Sequence, residues 1–515
     1  MAMARTRCVA VVGVEGHQID VEADVADGLV GLHIVGLPDA ALREARDRIR
    51  AAVDNSGAHW PPRRITVSLS PASLPKRGSS YDLAIAMAIL AAAGEVPEAE
   101  VAERVFLGEL GLDGRIRPLR GVLPAVLGAV AAGCKGVVVS PANAAEARLV
   151  PEIGVTAVAT LVELLGLLRG ELAVDDLEPG DPSVAMAPVE SGYRRRPGVD
   201  LSDVAGQPVA RRAVEISAAG GHHLFLVGSP GSGKTMLAER LPTILPKLTT
   251  SQALEVTAIH SVAGALPAWH PLIDEPPFCA PHHTSTRTSI IGGGSTTIRP
   301  GAASLAHRGV LFIDEAPECG RGMLDSLRQP LECGEVLIAR AAVVARFPAA
   351  FTLVMAANPC PCARADTGAA GCTCTPGTKR DYLARLSGPL LDRVDVKIRM
   401  TPPRRRELLA DQAGAESSAT VAERVREARA RAAHRLSGTA WRANAEVPGR
   451  ELRRAFAPPP DALQCLDSAL RRGELTARGI DRIIRVAWTL ADLAAHPRPG
   501  PDEIGYALAL WLGTT

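Results

Sequence analysis

The segment that most constrains the fold of this chain is the glycine-rich stretch Gly228-Ser-Pro-Gly-Ser-Gly-Lys-Thr235, which fits the pattern G-x-x-x-x-G-K-[ST]. Apolar residues at 222–227 predict a short buried strand before it, and apolar residues at helical spacing within 236–245 predict a helix after it. In this context, small residues let successive backbone N–H groups turn toward phosphate oxygens at the positive end of a helix. The stretch therefore predicts a phosphate-binding loop.

Each residue of this loop is a candidate nucleotide contact. We expect Lys234 to reach the β- and γ-phosphates of a nucleoside triphosphate and Thr235 to ligate Mg²⁺. The predicted nucleotide-binding residues are Gly228, Ser229, Pro230, Gly231, Ser232, Gly233, Lys234 and Thr235.

A second apolar run, residues 310–313, ends in two carboxylates, Asp314 and Glu315. We expect a buried strand here to bring Asp314 to the metal ion and Glu315 to the attacking water, which it would polarise. An ordinary core strand followed by a solvated acidic turn has the same pattern, but the phosphate-binding loop upstream favours the nucleotide interpretation. Together the two segments predict a nucleoside triphosphate hydrolase.

Composition limits the class of protein. A chain of 515 residues is too long for one ordinary core, so we expect two or three domains. A hydrophobic content of 47% with 22% charged residues indicates a globular protein, and a net charge of +1 gives no overall basic surface. The longest apolar run, residues 83–93, is shorter than the ~20 residues needed to span a bilayer. With no export signal visible at the N-terminus, we expect a cytoplasmic protein without membrane contact.

The sequence divides into an N-terminal α/β or α+β domain at residues 1–168, a linker, and two further domains. In the first domain, strands are predicted at 65–69, 105–110 and 136–139, and Ala-rich helices at 83–93 and 122–132. Residues 171–200 are rich in Pro and Gly turns without sustained periodicity, so they predict a linker. Residues 201–400 carry the nucleotide motifs on alternating strands and helices, which predicts a parallel sheet. Residues 401–515 have a helical pattern typical of an all-α lid.

Four of the ten cysteines form a compact pattern, C-x-C-x9-C-x-C, within an insert at residues 360–374. Soft thiolates in two close pairs suit a tetrahedral Zn²⁺ site, although the spacing is not the usual C-x2-C. Free thiols in an irregular loop, or a redox-active pair, are the alternatives. The candidate zinc ligands are Cys360, Cys362, Cys372 and Cys374.

Three more polar residues resemble the catalytic apparatus of AAA+ ATPases. Asn358 follows a predicted strand at 351–356 and resembles sensor 1, a side chain that hydrogen-bonds the attacking water. Arg393, in Ser387-Gly-Pro-Leu-Leu-Asp-Arg-Val-Asp395, resembles an arginine finger, which acts on the nucleotide of a neighbouring subunit. Arg478, at the start of a predicted lid helix, resembles sensor 2. For each arginine, a surface salt bridge is the alternative.

A closer resemblance rests on several short segments in a fixed order around the ATPase motifs. These are Val204-Ala-Gly-Gln207, Ala280-Pro-His-His-Thr284, Gly292-Gly-Gly-Ser295, Leu305-Ala-His-Arg-Gly-Val310, Leu327-Arg-Gln-Pro-Leu331 and Asn358-Pro-Cys-Pro-Cys362. They resemble the bacterial ComM/YifB family of magnesium-chelatase-like AAA+ proteins over essentially the whole chain. The resemblance implies an N-terminal Lon-protease-like domain, a chelatase-type core that uses ATP and Mg²⁺, and a helical C-terminal domain. It also implies a hexameric DNA helicase that promotes branch migration.

The N-terminal domain raises the question of peptidase activity. Gly78-Ser-Ser-Tyr-Asp82 is similar to the segment that holds the nucleophilic serine of Lon proteases, with Ser80 in its place. Where the catalytic lysine should follow, the sequence has Arg120-Gly-Val-Leu-Pro-Ala125, and Lys135 is expected in a turn before a strand. A serine needs a nearby base, so we expect a peptidase-like fold without peptidase activity.

Two segments are candidates for DNA contact in a central pore. Residues 334–346 predict a β-hairpin, and Arg340 is the candidate phosphate contact at its tip. The Gly- and Thr-rich segment 260–300, with Arg287 and Arg299, is a second candidate insert. Both segments could instead be loops that pack between subunits. In the same region His282, His283 and Cys279 could bind a metal ion, with ordinary loop packing as the alternative.

The sequence thus predicts an ATP-driven, ring-forming DNA motor, a homo-oligomer and by resemblance a hexamer, acting on single-stranded or branched DNA in recombination or natural transformation. A protein-remodelling ring of the MoxR or chelatase type, acting on a partner protein, is the second hypothesis. A regulated peptidase is the third, and the missing lysine disfavours it.

Overall fold

The computed structural model describes the chain except for residues 1, 37–39, 75, 77, 178–197, 267–270, 295–297, 341–342, 365–370, 404–414, 474 and 515. The described residues form an N-terminal α/β part, a central part around a parallel sheet, and a C-terminal helical part. The fold class is therefore mixed α/β, as the sequence predicts. Most of the predicted linker, 171–200, lies outside the described residues, and its first residues carry a 3₁₀ turn at Val174–Asp176.

The N-terminal part is a mixed sheet covered by helices. Its strands are β1 (Ala2–Val12), β2 (Glu15–Ala26), β3 (Gly31–Val35), β4 (Arg64–Ser70), β5 (Arg104–Phe106), β6 (Glu109–Leu110), β7 (Ile116–Arg117), β8 (Gly136–Val139) and β9 (Gly154–Ala157). Its helices are α1 (Ala40–Asn55), α2 (Asp82–Ala92), α3 (Glu98–Ala102), α4 (Val122–Ala131), α5 (Pro141–Ala147) and α6 (Leu161–Leu168).

Seven of these strands form one sheet in the order β3-β4-β2-β1-β5-β8-β9. The long antiparallel pair β1 and β2 is central to it, and burial alternates along β2 because successive side chains point to opposite faces of a strand. Helix α2 is buried at every position, which explains its uninterrupted apolar sequence after Asp82. The buried Asp82 carboxylate accepts a hydrogen bond from Arg48 Nε at 2.6 Å, so this charge has a partner inside the fold.

The central part contains the nucleotide motifs. Its strands are β10 (Leu224–Gly228), β11 (Phe278–Cys279), β12 (Gly292–Gly293), β13 (Arg299–Pro300), β14 (Val310–Ile313), β15 (Glu335–Arg340), β16 (Val343–Pro348), β17 (Thr352–Ala357) and β18 (Val396–Met400). Its helices are α7 (Pro208–Gly220), α8 (Lys234–Arg240), α9 (Thr250–Ala263), α10 (Arg287–Ile291), α11 (Ala302–Leu305), α12 (Arg321–Ser326), α13 (Arg328–Cys333), α14 (Pro376–Leu383) and α15 (Gly388–Leu391).

Five parallel strands in the order β11-β14-β17-β10-β18 make the central sheet. Strands β14, β17 and β10 are almost entirely buried, as expected for a parallel sheet that is covered on both faces. Their carboxyl ends lie side by side at one edge. That edge is where an open α/β sheet usually binds its ligand, at the ends of strands that are adjacent in space and distant in sequence.

In the described residues after 414, the C-terminal part is helical. The helices are α16 (Ser418–Arg435), α17 (Gly449–Leu452), α18 (Gln464–Arg471), α19 (Ala477–Leu493) and α20 (Pro501–Leu512). Helix α19 begins after Thr476, whose hydroxyl accepts a hydrogen bond from Gly479 N at 3.2 Å and so caps the first turn. None of the described helices is long and apolar enough to cross a membrane.

The C-terminal helices share one hydrophobic cluster with the central sheet. A buried polar network reinforces this contact where the chain enters β10. His222 lies with Nδ1 3.3 Å from Asp395 Oδ2 and Nε2 2.7 Å from Thr489 Oγ1, a residue of α19. Arg482, also on α19, donates to Asp395 at 2.8 Å. The helical part is therefore tied to the residues that immediately precede β10 and β18.

The N-terminal part packs on the central part through α4 and α9. Gly121 N donates to Ser261 O at 3.2 Å, and the Ser261 hydroxyl donates to the buried carboxylate of Glu146. The Glu146 carboxylate also accepts from Leu123 N at 2.7 Å. Burial raises the pKa of Glu146, and these donors oppose that effect. Because this buried carboxylate is hydrogen-bonded to groups on both sides of the contact, it fixes how the N-terminal and central parts pack against each other.

Candidate nucleotide site and cysteine cluster

The phosphate-binding loop joins β10 to α8, as the sequence predicts. Gly231 and Gly233 have φ angles of 78° and 91°, in the region that favours glycine, and Gly233 immediately precedes the helix. The pattern needs glycine there because a Cβ would strain the backbone in this conformation. Gln207 Nε2 supports the loop from behind by donating to Ser232 O at 3.2 Å and to Thr401 O at 2.7 Å.

Lys234 is buried at the start of α8, and all three of its ammonium protons find oxygen acceptors. Its Nζ lies 2.6 Å from Gly228 O, 3.0 Å from Ser229 O and 3.2 Å from Asn358 Oδ1. Burial lowers the pKa of Lys234, and the nearby Asp314 and Glu315 carboxylates oppose that shift. The ammonium group is thus oriented by neutral acceptors that phosphate oxygens can replace.

The two expected Mg²⁺ ligands meet at the edge of the sheet. Thr235 Oγ1 donates to Asp314 Oδ2 at 2.9 Å, and the other oxygen of Asp314 accepts from Glu315 N at 2.9 Å. One hydroxyl and one carboxylate from different segments is the donor set that phosphate-binding loops offer to Mg²⁺. The residues present therefore fit the ion.

Glu315 has an unusual backbone and a partner that the sequence did not suggest. Its φ is 48°, a left-handed conformation that is uncommon for any residue other than glycine. Its carboxylate lies 3.2 Å from His283 Nδ1 and is about half exposed. His283 was expected either in a metal site with His282 and Cys279 or in loop packing. The structure places it against Glu315, with Cys279 buried in β11.

Asn358 completes the group, because β17 lies between β14 and β10 and its carboxyl end is next to both. The side chains of Lys234, Thr235, Asp314, Glu315 and Asn358 are thus brought to one edge of the sheet. Nearby, the hydroxyls of Ser229 and Ser232 are buried and have no hydrogen-bond partner in the described structure. Unsatisfied buried donors in this loop are what a bound phosphate would satisfy.

The four cysteines of the insert come together directly after Asn358. The Cys360 sulfur lies 3.2 Å from that of Cys362 and 3.3 Å from that of Cys372, and all four sulfurs, with Cys374, lie within 4.8 Å of one another. Four thiolates at ~2.3 Å from a tetrahedral Zn²⁺ would be about 3.8 Å apart. The donor set and its spacing therefore fit zinc, and this is the one such cluster among the described residues.

The thiols of this cluster differ in acidity. The pKa of Cys362 is lowered to about 7, first by the backbone N–H of Arg364 and then by the neighbouring Cys360 thiol. The pKa of Cys360 is raised to about 12, first by burial and then by the adjacent sulfurs. Cys362 is thus the more acidic of these two thiols, and a metal ion would be needed to hold Cys360 deprotonated near neutral pH.

Comparison with known proteins covers all three parts of the chain. Residues 21–143 match the profile "Subunit ChlI of Mg-chelatase", residues 200–408 match "Magnesium chelatase, subunit ChlI", and residues 415–510 match "Magnesium chelatase, subunit ChlI C-terminal". An uncharacterized protein of Mycobacterium tuberculosis is 52% identical over 509 residues, which cover 99% of this chain and 98% of that protein. Competence protein ComM of Haemophilus influenzae is 38% identical over 508 residues, covering 99% and 97%. YifB of Escherichia coli is 38% identical over 496 residues, covering 96% and 94%.

The chain belongs to the ComM/YifB family of magnesium-chelatase-like proteins. The resemblance drawn from the short sequence segments is thereby confirmed. Membership suggests the use of ATP and Mg²⁺, in agreement with the residues at the sheet edge.

In the described structure of this family member, neither candidate arginine is hydrogen-bonded to the phosphate-binding loop. Arg393 is 7% exposed, and its guanidinium pairs with Glu332 and donates to Pro389 O. Burial lowers the pKa of Arg393, and repulsion from Arg328, Arg478 and Arg482 lowers it further. Arg478 is exposed at the start of α19. Both therefore belong to one basic cluster, and their predicted roles remain predictions.

The predicted hairpin is confirmed in this ComM/YifB protein, since β15 and β16 pair in antiparallel register from Glu335 opposite Pro348 to Arg340 opposite Val343. Arg340 is exposed at the end of β15, and the turn, residues 341–342, lies outside the described residues. Leu337 and Val344 are exposed on the same hairpin, by 38% and 56%. In the second candidate insert, Arg287 begins α10, and Arg299 lies in the short ribbon of β12 and β13.

The peptidase question rests on the surroundings of Ser80. Ser80 lines a cavity with Arg120, and no lysine or histidine is among the lining residues described. The Lys135 side chain is 82% exposed beside Glu103, in the irregular residues that precede β8. Lys76, four residues before Ser80, is buried and donates to Pro71 O. The base that a nucleophilic serine needs is therefore missing from this wall.

Proposed function

We propose that this protein is an ATP-driven, ring-forming DNA motor, and that it acts as a helicase promoting branch migration in recombination or natural transformation. The observation that carries the proposal is the convergence of Lys234, Thr235, Asp314 and Asn358 at one edge of the central sheet. These residues come from three adjacent strand ends, and in this combination they suit phosphoryl transfer to water.

The hydrolytic step follows from the positions of the side chains. Mg²⁺, if bound, would neutralise negative charge on the phosphate oxygens. Thr235 and Asp314 would hold it, and Lys234 would exchange its carbonyl acceptors for phosphate oxygens. Glu315 would accept the proton of the attacking water, while His283, 3.2 Å from its carboxylate, would fix its orientation. Asn358 would hydrogen-bond the same water.

A ring explains the basic cluster at Arg393. Burial and mutual repulsion disfavour the charged form of this guanidinium, and its ion-pair partner among the described residues is Glu332. A phosphate group of a nucleotide on the neighbouring subunit would supply the missing negative charge. We therefore propose a homo-oligomer, a hexamer, in which Arg393 acts in trans and Arg478 contributes at the same boundary.

DNA contact is supported by the hairpin of β15 and β16. It presents Arg340 to solvent, and Arg340 has no ion-pair partner among the described residues. Several copies around a ring would give a sequence-tolerant grip on single-stranded or branched DNA. The name of the relative ComM, a competence protein, agrees with a role in DNA uptake and recombination.

The insert after Asn358 would hold a structural Zn²⁺. Cys360 lies two residues beyond Asn358, so a tetrahedral centre there would fix the backbone that carries the sensor side chain. Zinc would thus support the nucleotide site without taking part in the chemical step.

A protein-remodelling ring is the second candidate. Exposed apolar side chains, Leu337 and Val344, lie on the same hairpin as Arg340, and such side chains suit contact with a partner protein. The match of all three parts to magnesium chelatase profiles is compatible with this candidate as well.

The test is ATP hydrolysis by the full chain, alone and with single-stranded or forked DNA, at about 50 and 200 mM salt. We expect stimulation by DNA that falls steeply at the higher salt. Arg340→Gln should remove most of the stimulation and leave the basal rate unchanged. Arg346→Gln, near the base of the same hairpin, is the matched control and should keep the stimulation. If wild type and both variants hydrolyse ATP at the same rate with and without DNA, the DNA motor is rejected and the remodelling ring is favoured.

A further inference from the structure

A cavity of about 350 Å³ lies between the N-terminal and central parts. Its N-terminal wall is the end of β1, residues 9–13, with Ser80 and the segment 119–122. Its opposite wall comes from α9 and from β16, which contributes Val343 and Ala345. The volume is near the lower end of the ~300–1,000 Å³ range of ligand sites. The cavity therefore suits a small ligand or the end of a chain.

One wall of this interdomain cavity is an unpaired strand edge. Strand β1 pairs with β2 along its whole length but pairs with β5 only at Arg7. Beyond that point no described strand is hydrogen-bonded to the edge of β1 that faces away from β2, although β16 lies close to the end of β1. In an antiparallel ladder, alternate residues point both N–H and C=O away from the partner. Residues 9–12 thus offer backbone donors and acceptors to an additional strand.

The charged side chains that line the cavity are all positive. The charged residues that line the cavity are Arg120 and Arg299, and neither guanidinium has a hydrogen bond or ion pair with another described residue. Burial lowers the pKa of Arg120, and repulsion from Arg299 lowers it further. Helix α4 also begins here, but its first turn already has an anionic partner, because Leu123 N donates to the Glu146 carboxylate.

We propose that the interdomain cavity binds the C-terminal end of a partner protein as an extended strand beside β1, with its α-carboxylate between Arg120 and Arg299. The apolar residues of both walls would receive small apolar side chains of the ligand. Binding is non-covalent, because the wall around Ser80 offers no base. The proposal does not depend on ATP hydrolysis.

Peptide chemistry fits this cavity better than nucleic acid does. A strand edge supplies hydrogen bonds that match a peptide backbone, and the walls are mostly apolar, whereas a phosphate backbone prefers a solvated basic groove. Since Val343 and Ala345 belong to the hairpin that carries Arg340, an occupied cavity would also contact the hairpin on its inner side.

The test uses the full chain and pools of pentapeptides randomised at the last three positions, one pool with free C-terminal carboxylates and one amidated. Peptides retained by the protein are sequenced, and the best one is labelled for fluorescence anisotropy. We expect enrichment from the carboxylate pool alone, and at least tenfold weaker binding of the amidated form. Arg120→Gln and Arg299→Gln should each weaken binding by at least tenfold, whereas the exposed Arg450→Gln should have no effect.

A second measurement needs no variant and so is insensitive to misfolding. In the selected peptide, N-methylation of a residue whose N–H pairs with β1 should abolish binding, and N-methylation of the next residue should be tolerated. No enrichment from the carboxylate pool over the amidated one, equal binding of acid and amide, or an equal effect of methylation at adjacent positions would overturn the proposal. Displacement of the peptide by oligothymidylate in wild type but not in Arg120→Gln would assign the arginines to phosphate and overturn it as well.

Discussion

Replacement of Lys234 by alanine tests the nucleotide site most directly. In the structure Nζ is held by Gly228 O, Ser229 O and Asn358 Oδ1 at 2.6 to 3.2 Å. These acceptors leave the ammonium pointing across the carboxyl ends of β10 and β17, where the phosphates of a bound nucleotide would lie. We expect the side chain to exchange two of these neutral acceptors for charged phosphate oxygens when ATP binds.

The magnitude follows from those two exchanges. A hydrogen bond to a charged group contributes about 1.5–3 kcal/mol, so two of them amount to about 3–6 kcal/mol. Since about 1.4 kcal/mol is a tenfold change in affinity, Lys234→Ala should weaken ATP binding by about 10²–10⁴-fold. Hydrolysis should be lost with it. The carbonyls that Lys234 leaves are backbone groups of the loop, so some loss of thermal stability should accompany the change.

The assay is titration with a fluorescent ATP analogue in the presence of Mg²⁺, with thermal unfolding of each protein measured in parallel. Lys247→Ala is the matched control, because Lys247 is exposed and pairs at the surface with Asp274. It should bind nucleotide normally. Binding of ATP by Lys234→Ala within threefold of wild type, in a protein that remains folded, would refute the argument that this ammonium contacts phosphate.

Three further outcomes are expected. Glu315→Gln should bind ATP with nearly unchanged affinity and hydrolyse it about 10²–10⁴-fold more slowly, because the amide keeps the shape of the carboxylate but cannot take a proton. A hydrolysis rate within tenfold of wild type, measured by rapid quench, would contradict this. Elemental analysis of protein purified without chelator should find one zinc per chain, and the Cys362→Ser and Cys372→Ser variants should both lose it. Wild-type protein that contains no metal would contradict the zinc assignment. Unfolding by urea should become easier as pH falls from about 6.5 toward 4, because burial lowers the pKa of His223 and of His260 to about 4. The unfolded chain then binds more protons than the folded one, and a flat stability profile over that interval would contradict the assignment.

The candidate nucleotide site could be predicted largely from local sequence. The loop from Gly228 to Thr235 and the run that ends in Asp314 are contiguous motifs, and the strands around them are apolar runs of ordinary length. Their meeting at one edge follows from a parallel sheet in which all strands present the same end. The order of the five strands cannot be predicted in this way, because it depends on which crossover connections pack best. No local sequence pattern indicates that.

Some structural features have a sequence pattern that the predictions above do not use, and others have no sequence pattern at all. The alternation of Ile19, Val21, Ala23 and Val25 along β2 is a period-two pattern that predicts a strand, although the strands predicted above do not include it. By contrast, the contact between His283 and Glu315 joins two loops more than thirty residues apart. Neither the left-handed backbone of Glu315 nor this neighbour has a sequence signature, since both result from tertiary packing.

Arg393 shows most clearly why a motif does not determine a side chain's partner. Its place in the segment 387–395 predicts a finger that reaches a neighbouring subunit, yet within one chain the guanidinium is buried and paired with Glu332. The two observations are compatible if the ion pair exchanges at a subunit boundary, because Glu332 is 57% exposed and can return to solvent when a phosphate takes its place. Such an exchange replaces one charged acceptor of the guanidinium by another. It therefore avoids the cost of breaking a buried ion pair, which would leave a buried charge without a partner. The repulsion from Arg328, Arg478 and Arg482 adds to the demand for an anion at this place. A phosphate group of a neighbouring nucleotide, which can carry more negative charge than the Glu332 carboxylate, would meet that demand better than Glu332 does.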